Sequence, residues 1–347
     1  MRWKWNTFTL AVVAMGLTSC YSHKTPPDVA RPEPTPDYRL PIPGTTPTPM
    51  PRPVGAEMRG VWFSDPRSVN WRQAMSDLHK AGFNTVFVNF SSAGAAFYPS
   101  RLLPNIASRD EMRLCIDAAH AEGIQVHAKF IVWYMFQATT TQQSKMARDR
   151  RLLLQPNGQI LFQGDSTWLN PALKKNRDER LAAILEAVQS YPVEGVQLDY
   201  MRYPDNAGPM TMGRRDAITR FVADVRSEVK RVRPGTLISV SNFYDYNRAR
   251  NEMGQDWVLW AQRGYVDFLC PMDYTRDTGS LDQWIRAQQR LIGGRIPMYI
   301  GLGAYMQKYA SQVNDQIAVV RRHNNPGFVL FAYNENFREN ILPGLRF

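Results

Sequence analysis

The stretch "EGVQLDYMRYP", residues 194–204, has the pattern of a buried strand that ends on a carboxylate. Val196 and Leu198 are strand-forming apolar residues, Asp199 follows them directly, and a proline at the end of the stretch breaks the chain. The acid has two interpretations. It is either a structural ion-pair partner for Arg202 or the reacting carboxylate of an active site.

The sequence around this strand alternates apolar runs with amphipathic stretches from residue 56 onward. The apolar runs predict strands at residues 58–63, 84–90, 124–132, 195–199, 237–242, 266–272, 297–302 and 327–333. The amphipathic stretches predict helices at about 70–81, 109–122, 176–190, 213–232, 251–262, 280–292 and 311–322. This α/β pattern predicts a (β/α)8 TIM barrel. Its eighth helix is expected to be short or missing, because the chain ends soon after the last strand.

An open doubly wound sheet is the alternative fold. The sequence disfavours it, because no Gly-rich phosphate-binding loop follows an early strand. Within a barrel, the connection after the third strand would run from about residue 133 to 175, which is far longer than usual. We expect this connection to form a lid or a wall of a cleft.

Residues 1–19 have the pattern of a lipoprotein signal peptide, with a basic start, a short apolar run and the sequence "LTSC" at 17–20. The apolar run is too short to span a bilayer as a mature helix. By resemblance to bacterial lipoproteins, Cys20 is expected to be the lipidated first residue of the mature chain. An ordinary secretory signal is the alternative. No acidic residue follows Cys20 directly, so we expect an outer-membrane anchor facing the periplasm.

Residues 20–55 are expected to be a tether between this anchor and a globular domain at 56–347. Positions 21–55 contain 11 of the 24 prolines and hardly any large apolar side chain, so they cannot bury enough surface to fold. At roughly 3.1 Å per residue, such a polyproline segment reaches at most about 110 Å. The reach of this tether favours a protein that acts on a component of the cell envelope.

The overall composition argues against a nucleic-acid-binding protein, a disulfide-rich protein and a metalloprotein. The net charge of +11 suits a partner that is an anionic polymer, but no nucleic-acid-binding motif accompanies it. Cys115 and Cys270 are too few for a disulfide framework in a domain of this size, and we expect both to be buried free thiols. His127 and Lys129 share a strand face, but no set of residues has metal-ligand spacing, and we expect neither metal nor cofactor.

The chemistry of a barrel is located at the carboxyl ends of its strands. Side-chain alternation in the fourth strand predicts that Gln197 and Asp199 point into the barrel, and that Tyr200 points outward with the apolar residues. Arg202 is a candidate salt-bridge partner that would keep Asp199 ionised, as a nucleophile or base requires.

Further acids follow other strands. Glycoside hydrolysis usually uses two carboxyl groups, one of which donates a proton while the other is nucleophile or base. Asp273 ends the sixth strand as Asp199 ends the fourth, and it is the best candidate for the proton donor. A structural acid bonded to loop amides is an equally good interpretation of Asp273. Glu335, after the eighth strand, and Asp245, after the fifth, are reserves.

Aromatic and polar residues are dense around the predicted strand ends, and flat rings with polar edges suit sugar rings. We expect the substrate to contact Trp62, Asn89, His127, Lys129, Trp133, Trp168, Gln197, Tyr200, Arg202, Tyr203, Asn242, Tyr274 and Tyr333. No nucleophile elbow or Cys–His pair indicates a serine or thiol hydrolase.

Five segments together resemble the glycosyl-hydrolase-like family 10 of bacterial envelope lipoproteins. They are "RGVWF" at 59–63, "FNTVFVNFSSAGAAFYPS" at 83–100, "WLNP" at 168–171, "EGVQLDYMRYP" at 194–204 and "PMDY" at 271–274. The resemblance implies a TIM barrel related to amylase-like glycosidases, acting on cell-wall glycans. It places the motif acid at Asp199 and a substrate-binding position at Asn170, where many relatives have Asp. Lys129 stands where an aromatic residue is expected.

The leading expectation is an envelope-anchored glycosidase that cleaves peptidoglycan glycan strands, with Asp199 as nucleophile or base and Asp273 as general acid. The alternative is a non-catalytic barrel that binds glycan and localises a partner of the cell-wall or cell-division machinery. In both cases the partners are an envelope glycan and, through Cys20, the membrane.

Overall fold

The computed structural model describes residues 56–347, so the predicted signal peptide, Cys20 and the tether lie outside the described residues. Ten strands are described. They are β1 (Met58–Phe63), β2 (Thr85–Ser91), β3 (Gln125–Ile131), β4 (Phe162–Gln163), β5 (Ser166–Thr167), β6 (Gly195–Asp199), β7 (Leu237–Phe243), β8 (Phe268–Met272), β9 (Ile300–Leu302) and β10 (Gly327–Phe331). The predicted strands are therefore all present, and β4 and β5 are a short addition.

Nine α-helices lie in the described part of the chain. They are α1 (Trp71–Lys80), α2 (Glu111–Ala121), α3 (Thr140–Arg148), α4 (Lys174–Ser190), α5 (Met212–Val232), α6 (Tyr246–Glu252), α7 (Trp257–Gln262), α8 (Thr278–Ile292) and α9 (Ala310–Arg322). After β10 only short helical turns follow, at Phe337–Ile341 and Leu342–Gly344. The eighth helix is thus short, as predicted.

Eight parallel strands close into one barrel in the order β1-β10-β9-β8-β7-β6-β3-β2. The seam is closed by β1 and β10, which pair in register from Met58 with Gly327 to Trp62 with Phe331. The strand that opened the sequence analysis, β6, lies between β3 and β7. The (β/α)8 prediction is confirmed, and the open-sheet alternative is wrong.

The strands are buried on both faces, so two apolar clusters form. One lies between strands and helices, and the other fills the barrel lumen. Rings from strands that are not neighbours meet in the lumen: Phe87 of β2 lies 6.3 Å from Phe268 of β8, and His127 of β3 lies 5.5 Å from the same ring. The lumen is therefore a packed floor beneath the strand ends.

The predicted helix at 251–262 is wrong, because the structure has two helices, α6 and α7, with a break between them. Gly254 adopts φ +72°, a backbone conformation that residues other than glycine rarely adopt. Asp256 then accepts a hydrogen bond from the Leu259 N–H and starts α7 as its N-cap. The break turns Gln255 toward the barrel mouth, where its Oε1 accepts from the Phe243 N–H at 2.7 Å.

The connection from β3 to α4 is a long excursion, as predicted. It contains α3 and the hairpin of β4 and β5. The Tyr134 hydroxyl donates to the Gln163 carbonyl at 2.7 Å, which ties the start of the excursion to its hairpin. Gln137 donates to Asp65 at 2.9 Å and so fixes the excursion to the loop after β1.

Cys115 and Cys270 are both buried free thiols, which confirms the prediction for the described cysteines. Among residues 56–347, no helix is both long and apolar enough to cross a bilayer.

Candidate active site

A cavity of about 380 Å³ opens at the carboxyl ends of the barrel strands, near the low end of the usual range for ligand sites. Six of the predicted site residues line it: Trp62, Lys129, Asp199, Tyr200, Arg202 and Tyr274. Asp199 is the only carboxylate among the described residues of its wall. The structure therefore gathers about a third of the predicted residues around one acid.

Asp199 is held by side chains from two neighbouring strands and by the backbone that follows it. Lys129, on β3, donates from Nζ to Oδ2 at 2.9 Å, and Ser241, on β7, donates its hydroxyl to Oδ1 at 2.6 Å. The backbone N–H of Tyr200 also donates to Oδ1, at 2.8 Å. Since β6 lies between β3 and β7, the strand order itself brings Lys129 and Ser241 to the same carboxylate.

These donors determine the charge of the acid. Burial alone would raise the pKa of Asp199, but the Lys129 ammonium and the three hydrogen bonds outweigh it and hold the pKa below its usual 3.8. The carboxyl group is thus ionised at neutral pH. An ionised carboxylate with fixed orientation can act as nucleophile, as base, or as an electrostatic partner for a cationic transition state.

Tyr200 has a left-handed backbone, with φ +52°, directly after Asp199. This conformation turns the N–H of Tyr200 onto the carboxylate and breaks the alternation of the strand. The prediction that Tyr200 points outward is therefore wrong, since its ring lines the cavity. The ring stacks on Tyr134 at 5.1 Å and lies 5.5 Å from Trp168.

Arg202 is not the salt-bridge partner of Asp199, so this sequence prediction is wrong. Its guanidinium lies over the rings of Trp168 and Tyr200, at 5.4 and 5.2 Å, and its nearest described acid is Asp205 at 3.7 Å. The backbone turn at Tyr200 carries Arg202 away from the carboxylate. Lys129 takes the expected role instead.

Trp62 lines the floor of the cavity, and Gln197 lies beneath it. The Trp62 indole N–H donates to Gln197 Oε1 at 2.5 Å across the lumen. Gln197 therefore faces inward, as the alternation predicts, but it lies beneath the cavity and does not line it. Tyr274 stacks on Phe331 at 5.5 Å and lines the opposite wall. Burial and the charge of Asp199 raise the pKa of Tyr274 well above its usual value, so its hydroxyl keeps its proton.

Asp273 does not line the cavity, so its predicted role as the proton donor beside Asp199 is not supported. Its neighbours Met272 and Tyr274 line the wall, and Asp273 points to the helix side of the barrel. There it is fully buried and accepts from Gln288 of α8 at 2.7 Å. Burial raises its pKa to about 7, because the single hydrogen bond from Gln288 offsets only part of the cost of the charge.

The reserve acids lie elsewhere as well. Glu335 and Tyr333 line a separate cleft that adjoins the cavity. Asp245 is the N-cap of α6 and accepts from the Arg248 N–H at 3.1 Å.

Four further predicted residues are buried in the walls of the fold and do not line the cavity. Asn89 donates to the Ser64 carbonyl at 3.1 Å. Trp133 packs on Phe221 of α5, with ring centroids 4.8 Å apart. The remaining two are Tyr203, which lies under the Arg214 guanidinium at 4.8 Å, and Asn242, which donates to the Phe243 carbonyl at 3.4 Å. Their predicted contact with substrate is therefore not supported.

Three more predicted residues also lie outside the cavity wall. His127 packs in the lumen, 4.8 Å from Phe87. Trp168 supports the rings of the wall from behind. Asn170 shapes the turn before α4, where its Oδ1 accepts from the Ala172 N–H at 3.0 Å.

Sequence reasoning missed several wall residues, among them Ser241, Gln255 and Phe331. Ser241 belongs to the strand next to Asp199 and lies on the inward face, so strand order could have found it. Gln255 could not be found, because a continuous helix was predicted there.

Glycoside hydrolases are among the enzymes that carry reacting carboxylates at the strand ends of a closed (β/α)8 barrel. The chain belongs to the family Glycosyl hydrolase-like 10, which it matches over residues 57–213 and 210–318. It is 23% identical to the glycosyl hydrolase DigH of Escherichia coli strain K12, over 85% of this chain and 82% of that protein.

Solved structures of carbohydrate-active enzymes share the fold. A β-galactosidase from the psychrophilic Marinomonas ef1 has a TM-score of 0.58 at 10% identity, covering 82% of this chain and 55% of that one. A cycloisomaltooligosaccharide glucanotransferase from Paenibacillus sp. has a TM-score of 0.54 at 14% identity, covering 73% of this chain and 39% of that one. The barrel thus spans about half, or less, of those larger enzymes.

Proposed function

We propose that the chain is an envelope-anchored glycoside hydrolase that cleaves the glycan strands of peptidoglycan, with Asp199 as its ionised reacting carboxylate. The observation that carries this proposal is the set of three donors that keep Asp199 charged inside an aromatic cavity. The family supports hydrolysis of a glycosidic bond. The predicted lipid anchor and Pro-rich tether support an insoluble envelope polymer as substrate.

Asp199 would either attack the sugar carbon from which the leaving group departs or stabilise the positive charge that develops at that carbon. An oxocarbenium-like transition state is positive, and a carboxylate fixed at its side stabilises it. Trp62 and Tyr274 would flank the ring, and the protonated Tyr274 hydroxyl would donate a hydrogen bond to it. No second acid lines the described cavity. In a substrate-assisted route, a substrate acetamido oxygen would attack the sugar carbon, Asp199 would stabilise the positive charge that develops, and the leaving oxygen would take its proton from water.

The test is release of soluble glycan fragments from purified sacculi. With the full-length protein, we expect Asp199→Asn to lower the rate at least about a hundredfold. Asp224→Asn changes an exposed helical acid and is the matched control, with an unchanged rate. Release by Asp199→Asn at the wild-type rate would show that Asp199 is not the reacting group.

One observation favours a second function, a non-catalytic barrel that binds glycan and localises a cell-wall partner. The single carboxylate of the cavity is already neutralised by Lys129, as in a structural ion pair. A binding protein would be retained on sacculi and release no fragments, even after long incubation. Wild-type protein that sediments with sacculi without turnover would favour this function over hydrolysis.

A further inference from the structure

A second cleft adjoins the cavity, with a volume of about 610 Å³. The two share Ser64 and Phe331 in their walls, so the cleft continues the cavity across the loops after β1 and β10. A ligand that leaves the cavity past Phe331 enters this cleft directly.

Two tyrosines stand in the wall of the cleft. Tyr305 is 53% exposed, and its ring centroid lies 5.7 Å from that of Phe331 and 6.0 Å from that of Tyr274, both in perpendicular geometry. Tyr333 stacks on Phe63 at 4.5 Å and forms another part of the wall. An exposed ring that packs against two other rings is held in place, and a fixed aromatic ring suits the apolar face of a sugar ring.

The charges along the cleft nearly cancel. Asp65 is paired with Arg67 at 2.7 Å, and Arg338 of the cleft wall is paired with Glu339 at 2.8 Å. Glu335 adds a carboxylate that interacts with Arg338 and leaves an excess of one negative charge. A cleft of this kind offers hydroxyls and carboxylates to hydroxyl groups, disfavours an anionic ligand and suits an uncharged polar one.

We propose that this cleft is a second sugar-binding subsite, in which Tyr305 supports an uncharged pyranose ring of the same glycan chain beyond the ring held at Asp199. The inference rests on the proposed function, since it takes the ligand of the cavity to be a glycan. It assigns Glu335 and Tyr333 to ligand binding in the subsite and gives Glu335 no part in proton transfer.

The experiment measures binding separately from turnover. Asp199→Asn is combined with Tyr305→Ala, and calorimetry gives the affinity for peptide-free peptidoglycan glycan oligomers of two, four and six sugars. We expect unchanged affinity for the disaccharide and about tenfold weaker binding of the hexasaccharide. Tyr305→Phe keeps the ring and should retain the affinity. Tyr309→Ala removes a tyrosine that is 56% exposed and lies outside the cleft wall, and it is the matched control.

The outcomes separate the two proposals. Wild-type protein that hydrolyses glycan, with no length-dependent loss in Tyr305→Ala, overturns the subsite and leaves the function intact. Length-dependent loss of binding without any hydrolysis by the wild type supports the subsite and overturns the hydrolase. Equal weakening for all three oligomers, or no binding of any of them, overturns the subsite.

Discussion

Asp199 and Lys129 form a buried ion pair. The pair matters more for the ionisation state of Asp199 than for the free energy of folding. Removing two charges from water is costly, and a buried pair often contributes little net stability. What Lys129 does is keep the carboxylate ionised where burial would otherwise protonate it. The pair therefore sets the pH range in which Asp199 can react.

We expect Lys129→Met to move the acid limb of the pH–rate profile to higher pH. Without the ammonium, burial becomes the dominant influence, and the pKa of Asp199 should rise by about one to three units. In the wild type this pKa lies below 3.8, so Asp199 is ionised at neutral pH and its protonation should not limit activity there. The measurement is kcat/KM against pH, with circular dichroism to check the fold.

Lys174→Met, at an exposed lysine at the start of α4, is the control for loss of a positive charge. It should leave the profile unchanged. An acid limb that stays in place in Lys129→Met would contradict the assigned role of Lys129.

Asp273 affects the free energy of unfolding with a pH dependence opposite in sign to that of an acid with a lowered pKa such as Asp199. Its pKa in the folded state, about 7, is above its usual 3.8, so the folded protein binds a proton that the unfolded chain releases. Stability therefore falls as pH rises from about 4 to about 7. Asp273→Asn resembles the neutral form and should lack this fall, while retaining activity, because the residue lies outside the cavity. Urea unfolding across this pH range measures it, and parallel curves for both proteins would refute the expectation.

The sequence predicts the position of Asp199 but not its partners. Strand alternation is a local rule, and it correctly directs Gln197 and Asp199 to the lumen. The partner Lys129 comes from another strand, and the choice between it and Arg202 depends on the left-handed turn at Tyr200. No residue type in that stretch signals this turn, since a tyrosine rarely adopts it.

At the scale of the element, the packing of β6 on β3 depends on a glycine. A Cβ at Gly195 would lie 2.0 Å from Nδ1 of the His127 ring. That ring packs in the lumen against Phe87 and Phe268. The strand can therefore place Asp199 at the mouth only if residue 195 has no side chain.

We expect Gly195→Ala to lower the free energy of unfolding by about 1–3 kcal/mol or more, because the added methyl overpacks the lumen. Gly213→Ala, in α5, adds the same methyl where nothing lies within 4 Å. It should stabilise the protein by a few tenths to about 1 kcal/mol, through helix propensity and the unfolded state. Urea unfolding of both variants checks this, and equal effects would show that the lumen is not tightly packed.

The elements that the sequence predicts well are those whose pattern is set by burial. The barrel strands are buried on both faces and rich in apolar residues, so they stand out without any knowledge of contacts. The helix predicted at 251–262 fails for a different reason: its apolar spacing continues across Gly254 and Asp256, although the first permits a turn and the second caps a new helix. Periodicity alone does not reveal such a break.

At the scale of the whole molecule, we propose that residues 20–55 anchor and tether the barrel, after removal of the signal peptide at 1–19. Replacing Cys20 by Ser should remove the lipid and shift the protein from the outer-membrane fraction to the soluble periplasm. Thr25→Ala, in the tether, is the control and should stay with the membrane. Density-gradient fractionation and blotting measure both, and an unchanged distribution of Cys20→Ser would exclude the lipoprotein assignment.

The long excursion between β3 and α4 has a consequence for how this barrel can diversify. It leaves after β3 and returns at α4, contains a hairpin and a helix of its own, and delivers Phe136 to the cavity. Insertions or exchanges within it would alter the chamber above Asp199 while the strand that carries the acid stays untouched. Substrate preference can therefore evolve, or be engineered by loop grafting, as a module separate from the reaction centre.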